Sequence, residues 1–262
     1  MSWARHAGRA AVLTFVAGTV GGAAVLATEA IVARNRRYAK PEMSLALRTT
    51  MGPASAPPLR LVLLGDSSAL GVGVERLADT IGGQLAQMLA DGTTSLSPRH
   101  VQLSCVGVSG SRSTDLATQV ARALLGERPD VAVVLIGAND ATSVRRPSDA
   151  AAYLGAAVRR LRDAGVEVVV GTCPDLGAVR AVAPPLRQVV GWLGRQMARA
   201  QARAVLAAGG TVVDLAAETG AVFRADAGTL CYDGFHPSAD GYRVWAHALL
   251  PAVIRAAVPT TR

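Results

Sequence analysis

The chain is poor in the residues that mark the commoner binding chemistries. Aromatic residues make up 4% of it, and there are 4 histidines. Nucleic acid bases would find few stacking platforms. Lys and Arg outnumber Asp and Glu by 27 to 19, but the basic residues are scattered singly over helical patterns. The positive balance therefore reports solubility and non-specific attraction, and no nucleic acid is expected as partner. The three cysteines, Cys105, Cys173 and Cys231, are far apart, with no CxxC and no Cys/His cluster. Neither a metal site nor a disulfide framework is expected from them. A phosphate cradle is missing too: there is no GK[ST] and no GxGxxG, because Gly65, Gly71 and Gly73 are wrongly spaced.

What the chain does have is apolar sequence, 50% of 262 residues, enough for a sizeable core. Part of it lies at the N-terminus. Ala10–Thr28 carries no charge, with Arg5 and Arg9 before it and Arg34, Arg36, Arg37 and Lys40 after it. Extended to Val32, the run just reaches the length of about 20 residues that a helix needs to cross a bilayer, despite Glu29. Residues 1–37 are thus expected to be a membrane anchor or signal segment, uncleaved because its small residues lie inside the apolar run. This predicts a membrane-associated or exported protein and leaves the side of the membrane open. Residues 38–58, with Pro41, Pro53, Pro57 and Pro58, have the composition of a linker, and a folded domain is expected over 59–258.

Within that domain short apolar runs alternate with helical patterns. LRLVLL, HVQLSCV, VAVVLI, VEVVVG and TVVDL read as strands. Helices are expected around Val74–Leu89, Thr114–Leu125, Asp149–Asp163, Leu186–Ala207 and Ala239–Ala256, the third showing one apolar face through Tyr153, Leu154, Ala157, Val158 and Leu161. Strands apolar on both faces, alternating with helices, predict a central parallel sheet in a three-layer α/β/α sandwich. Ligands bind such folds beyond the carboxyl ends of the strands.

The first strand runs into Gly65-Asp66-Ser67-Ser68 at that edge. An aspartyl nucleophile at Asp66 would want a partner carboxylate two residues on, and none stands there. A serine nucleophile would need a base, an acid to orient it and donors for an oxyanion. His6 precedes the apolar run, His100 opens a strand and His247 lies in the last helix, which leaves His236 in CYDGFHPSADG. Asp233 lies three residues before it, across Gly234, and can reach one ring nitrogen while the other faces outward; the competing reading is a turn in which Asp233 caps the final helix. Two further strand ends, GVSGSRS and GAND, are small-residue loops. A glycine there exposes its N–H, and Asn139 offers an amide donor that is never charged.

Taken together, GDS after the first strand, SGS after the second, GAND after the third and DGFH before the last helix resemble the GDSL/SGNH hydrolase family in motif, order and spacing, over roughly Leu59 to Val258. The resemblance implies a flavodoxin-like sandwich, a serine ester hydrolase working through an acyl-enzyme, and no metal or organic cofactor. It implies Ser67 as nucleophile, Asp233 and His236 as the remaining triad members, and an oxyanion hole of Gly110, Asn139 and the Ser67 N–H. The family's leucine after the nucleophile is Ser68 here, and the second block has Val106-Gly107-Val108 where the family has an asparagine. Asp66 and Asp140 are expected to brace loops. The long loop GTCPDLGAVRAVAPPL, Gly171–Leu186, is expected to wall the substrate pocket with a shape fixed by its prolines. The substrate expected is a small-molecule or lipid-like acyl ester. An acyltransferase on the same site and a membrane-tethered, non-catalytic binding protein are the alternatives.

Overall fold

The computed structural model describes residues 22–41, 48–92 and 97–258. A helix over residues 22–35 (α1) comes first, then the edge strand β1 (Arg48–Met51). The domain proper runs β2 (Pro58–Gly65), α2 (Ser67–Leu70), α3 (Ile81–Asp91), β3 (His100–Cys105), α4 (Leu116–Ala123), β4 (Val131–Leu135), α5 (Ala138–Thr142), α6 (Pro147–Asp163), β5 (Glu167–Gly171), α7 (Leu186–Ala207), β6 (Thr211–Val213), α8 (Leu215–Ala225) and α9 (Ala239–Ala257).

The sheet order is β1-β3-β2-β4-β5-β6, with every neighbour parallel except β1, which runs antiparallel to β3. Side-chain alternation along β2 explains the two helical layers. Leu59, Leu61 and Leu63 join a core with Ile81, Leu85 and Leu89 of α3 and with Tyr242, Trp245 and Leu249 of α9. Val62 and Leu64 point the other way, to Leu116 and Val120 of α4 and Leu154, Val158 and Leu161 of α6. The result is the expected α/β/α sandwich. Apart from β1, the chain starts in the middle of the sheet and winds outward in both directions, so the crevice between the ends of β2 and β4 is the switch point where such folds bind ligands.

Several expectations change. The helix expected from Val74 begins at Ile81, where Thr80 Oγ1 accepts the Gly83 N–H and caps it. α8 was not foreseen because Leu215 reads as the end of the preceding strand; Asp214 caps it by accepting the Ala217 N–H. The segment read as a linker contains β1, paired from Arg48–Ser104 to Met51–Val101.

The N-terminal hydrophobic helix also needs correction. Residues 10–21 of the expected span Ala10–Val32 lie outside the described residues. Residues 22–32 belong to α1, which is laid against the domain: Leu26, Glu29 and Ala33 form its half-buried face. Glu29 accepts the N–H of Leu186, the first residue of α7, whose terminal amides have no partner inside their own helix. Among the described residues no helix is long and apolar enough to cross a membrane.

Candidate active site

Gly65 ends β2 with φ +139°, and a Cβ there would fall 1.8 Å from the Leu135 carbonyl oxygen of β4. Only glycine lets the two strand ends approach this closely. The chain then turns into α2, which Asp66 caps by accepting the Ser68 N–H at 2.9 Å. Ser67 is thereby the first residue of a helix, its N–H free of an intrahelical partner.

From the other side of the crevice, residues 231–237 form a tight loop before α9. Cys231 N–H bonds the His236 carbonyl, and Gly234 N–H bonds the Cys231 carbonyl. Gly234 has φ +68°, and its carbonyl accepts the N–H groups of Arg180 and Ala181 at 2.7 and 2.9 Å. The cap of α9 is Ser238, so Asp233 is not the cap that the competing reading required.

The two loops meet in one hydrogen-bonded line. His236 Nε2 is 3.0 Å from Ser67 Oγ, and His236 Nδ1 is 2.7 Å from Asp233 Oδ2. Asp233 Oδ1 accepts the N–H groups of Phe235 and His236 at 2.7 and 2.9 Å, and the Cys231 thiol at 3.2 Å. Burial pushes the Asp233 carboxyl up, but the His236 ring and the Ala39, His236 and Phe235 amides together outweigh it and hold the group well below the usual carboxylate range. The carboxylate is therefore ionised at neutral pH. Burial pushes the Cys231 thiol up to about 11, so it stays protonated as a donor.

Asn139, in the first turn of α5, donates its amide to the Ser111 carbonyl at 2.9 Å and keeps a second N–H. That bond joins the SGS and GAND loops. Gly110 sits at the exposed tip of its turn with φ +80°, and no backbone carbonyl among the described residues accepts its N–H. Asp140 Oδ2 accepts both the N–H and the hydroxyl of Ser113 at 3.0 Å, as a loop brace would, and burial raises its carboxyl. Asp66, 3% exposed, is pushed by burial to about 6, against the Ser68 contacts that pull it down.

Four contributions escaped the sequence reading. Gln119 of α4 closes on the end of β2: its Oε1 accepts the Gly65 N–H at 2.7 Å, and its Nε2 donates to the Gly65 carbonyl and to Ser111 Oγ. Gln201 of α7 does the same for the ends of β4 and β5, bonding the Ile136 carbonyl and the Cys173 N–H. A polar residue on the apolar face of a helix was the available signal for both. Tyr38 and Ala39, in the segment read as a linker, reach the loop over residues 231–237. Ala39 N–H bonds Asp233 Oδ2 at 2.9 Å, and the Tyr38 ring lies edge-on to Phe235 and His236 at 5.5 and 6.5 Å.

Beside the line of Ser67, His236 and Asp233 lies a small, mostly apolar pocket that opens to solvent. Ser68, Ala138 and His236 stand among its lining residues, together with Leu176, Phe223 and Trp245. Pro174, Asp175, Ala178 and Val179 of the long β5–α7 loop wall it. Asp175 is itself held by an ion pair with Arg224 of α8.

Comparison with known proteins bears on family and fold. The model of the GDSL-like Lipase/Acylhydrolase family matches residues 63–244. A GDSL-like esterase of Mycobacterium tuberculosis is 39% identical over 197 residues, covering 74% of this chain but only 62% of that relative's length. Among solved structures, a lipase/acylhydrolase from Enterococcus faecalis matches with TM-score 0.57 and 22% identity, covering 78% of this chain and 100% of that one. An acetylxylan esterase from Geobacillus stearothermophilus matches with TM-score 0.55 and 19% identity, over 78% of this chain and 95% of that one. At such identities the structural likeness is one of fold.

Proposed function

Because this chain belongs to the GDSL-like lipase/acylhydrolase family, we propose that it hydrolyses carboxylic esters by acyl transfer to Ser67. The observation that carries the reading is the continuous line from Ser67 Oγ through both nitrogens of His236 to Asp233 Oδ2. In the first half-reaction His236 Nε2 takes the Ser67 hydroxyl proton as Oγ bonds to the ester carbonyl carbon. The tetrahedral oxyanion is met by the Ser67 N–H, the Gly110 N–H and the Asn139 amide. When the C–O bond to the alcohol breaks, His236 returns the proton to the departing oxygen. Water repeats the sequence on the acyl-enzyme and releases the acid and free Ser67. Asp233, held ionised, keeps Nδ1 protonated and steadies the imidazolium.

The small pocket beside Ser68 and His236 takes the acyl group, and the alcohol leaves toward solvent. Its size favours a short acyl group over a long hydrocarbon tail. Labelling by a fluorophosphonate probe and a p-nitrophenyl ester panel graded in acyl length test both halves. The labelled peptide should contain Ser67, and kcat/KM should fall once the acyl chain outgrows the pocket. Labelling elsewhere, or no labelling and no turnover, refutes the reading.

A further inference from the structure

We propose that Tyr38 and Ala39, outside the family-matched region, are positioning residues of the active site, docked there by α1 to hold Asp233 and His236 in their working geometry. The inference rests on the ester-hydrolase reading above. The contact is specific: the Ala39 N–H is the partner of Asp233 Oδ2, the same oxygen that meets His236 Nδ1. One oxygen shared between a fixed amide and the ring cannot swing away from the ring without losing the amide.

Bonds to the domain and within the segment hold it in place. The Arg36 guanidinium donates to the Ala181 carbonyl at 2.8 Å, and the Tyr38 hydroxyl donates to the Ala33 carbonyl at 2.8 Å. Glu29 holds the start of α7. Ala33, Tyr38 and Phe235 pack on the buried residues Val179, Ala181 and Val182 of the β5–α7 loop. The same arm therefore braces the catalytic loop and the loop that walls the acyl cavity. The charged and titratable groups facing Asp233 and the His236 ring are the Cys231 thiol, the Tyr38 and Tyr242 phenols and the Asp66 carboxyl, with Arg36 beside the Tyr38 phenol.

Removing the amide has a signature that loss of a mere cover lacks. With one donor gone, more of the carboxylate's charge falls on the ring N–H, which then holds its proton more firmly. The acid limb of kcat/KM should move to higher pH while the less well fixed ring lowers the plateau.

The test uses the full chain. Ala39→Pro deletes the N–H, and Ala39→Ser keeps it. The proline variant should lose about tenfold or more in kcat/KM and shift the acid limb upward by about half a pH unit, whereas the serine variant should keep the parent's midpoint. Unchanged rate and midpoint in Ala39→Pro overturn the proposal, as does a fall in rate with no movement of the midpoint. Should that variant fail to fold, amide hydrogen exchange decides on the parent: the peptide spanning residues 37–40 should be protected and lose protection in Asp233→Asn, and fast exchange in the parent overturns the proposal. Ser67→Ala separates the two readings. If it still turns over ester, the hydrolase reading fails; if it is dead while Ala39→Pro behaves as the parent, only the positioning role fails.

Discussion

Asp233 grips His236 twice, its Oδ1 accepting the backbone N–H of that histidine at 2.9 Å and its Oδ2 meeting the ring Nδ1 at 2.7 Å. A three-residue spacing makes this possible, since the carboxylate caps the turn that carries the ring. The ring can neither flip nor change tautomer without losing its bond to Oδ2, and Nε2 is left facing Ser67.

Asp233→Asn separates those two functions. The amide oxygen can still accept the Phe235 and His236 N–H groups, so the loop should survive with little change in Tm. Its NH2 group, however, turns a donor toward Nδ1 and favours the tautomer with the proton on Nε2, which cannot accept from Ser67. In the serine-protease case such a change costs ~10⁴ in kcat, and a loss of about that size is expected in steady-state rates on a soluble ester. A variant within tenfold of the parent would remove Asp233 from the triad and leave a Ser67–His236 dyad.

Adjacent hydroxyls make a sharper comparison. Ser67 is 7% exposed and on the line to His236, while Ser68 spends its N–H on the Asp66 cap and borders the cavity. Ser67→Ala should abolish turnover and fluorophosphonate labelling, whereas Ser68→Ala should cost about tenfold or less. Labelling that survives in the first variant and vanishes in the second would reverse the assignment.

The parts of the site legible from sequence are those with side chains in unusual company. GDS stands out because a run apolar on both faces stops there, and DGFH because few histidines compete with His236. β1 left little trace: its four residues, Arg48–Met51, are only half buried on alternate positions. α8 was hidden by the junction at Leu215, where a strand's last apolar residue and a helix's first cannot be told apart. Ala39 could not have been found at all. It acts through a backbone amide, 194 residues from its partner, and an alanine advertises nothing. The same helical period that located α4 could have exposed Gln119, which sits among Leu116, Val120 and Ala123 on the buried face.

That glutamine is the next prediction. Gln119, 2% exposed, satisfies both polar backbone groups of Gly65 in a region closed to water. Gln119→Leu fills similar volume but orphans the Gly65 N–H, at about 1–3 kcal/mol, while the Gly65 carbonyl keeps the Val108 N–H at 3.1 Å. A loss of about 2 kcal/mol should lower Tm by roughly 4–8 °C for a chain of this size. The cost should come with slower fluorophosphonate labelling, because the end of β2 that delivers Ser67 loses its brace. A Tm within about 2 °C of the parent would show that Gly65 does not depend on this side chain.

Asp66 gives a prediction in pH. Buried beside the nucleophile, its carboxyl is raised to about 6, whereas in the unfolded chain it titrates near about 3.9. Over the window between those values the folded protein keeps a proton that the unfolded chain has released. The group's contribution to stability is therefore complete below about pH 4 and is lost as pH rises through about 6. A gap of about two units corresponds to at most about 3 kcal/mol. Asn at this position retains an acceptor for the Ser68 N–H, never ionises and adds only a pH-independent offset. The unfolding free energy of Asp66→Asn minus that of the parent should thus move in favour of the variant between about pH 4 and 6.5, by up to about 3 kcal/mol, and stay level above that. Urea melts of both proteins across this range measure it directly. Titrating groups not coupled to Asp66 cancel in the difference, so a flat difference, or one that falls as pH rises, would mean that burial does not hold the Asp66 proton.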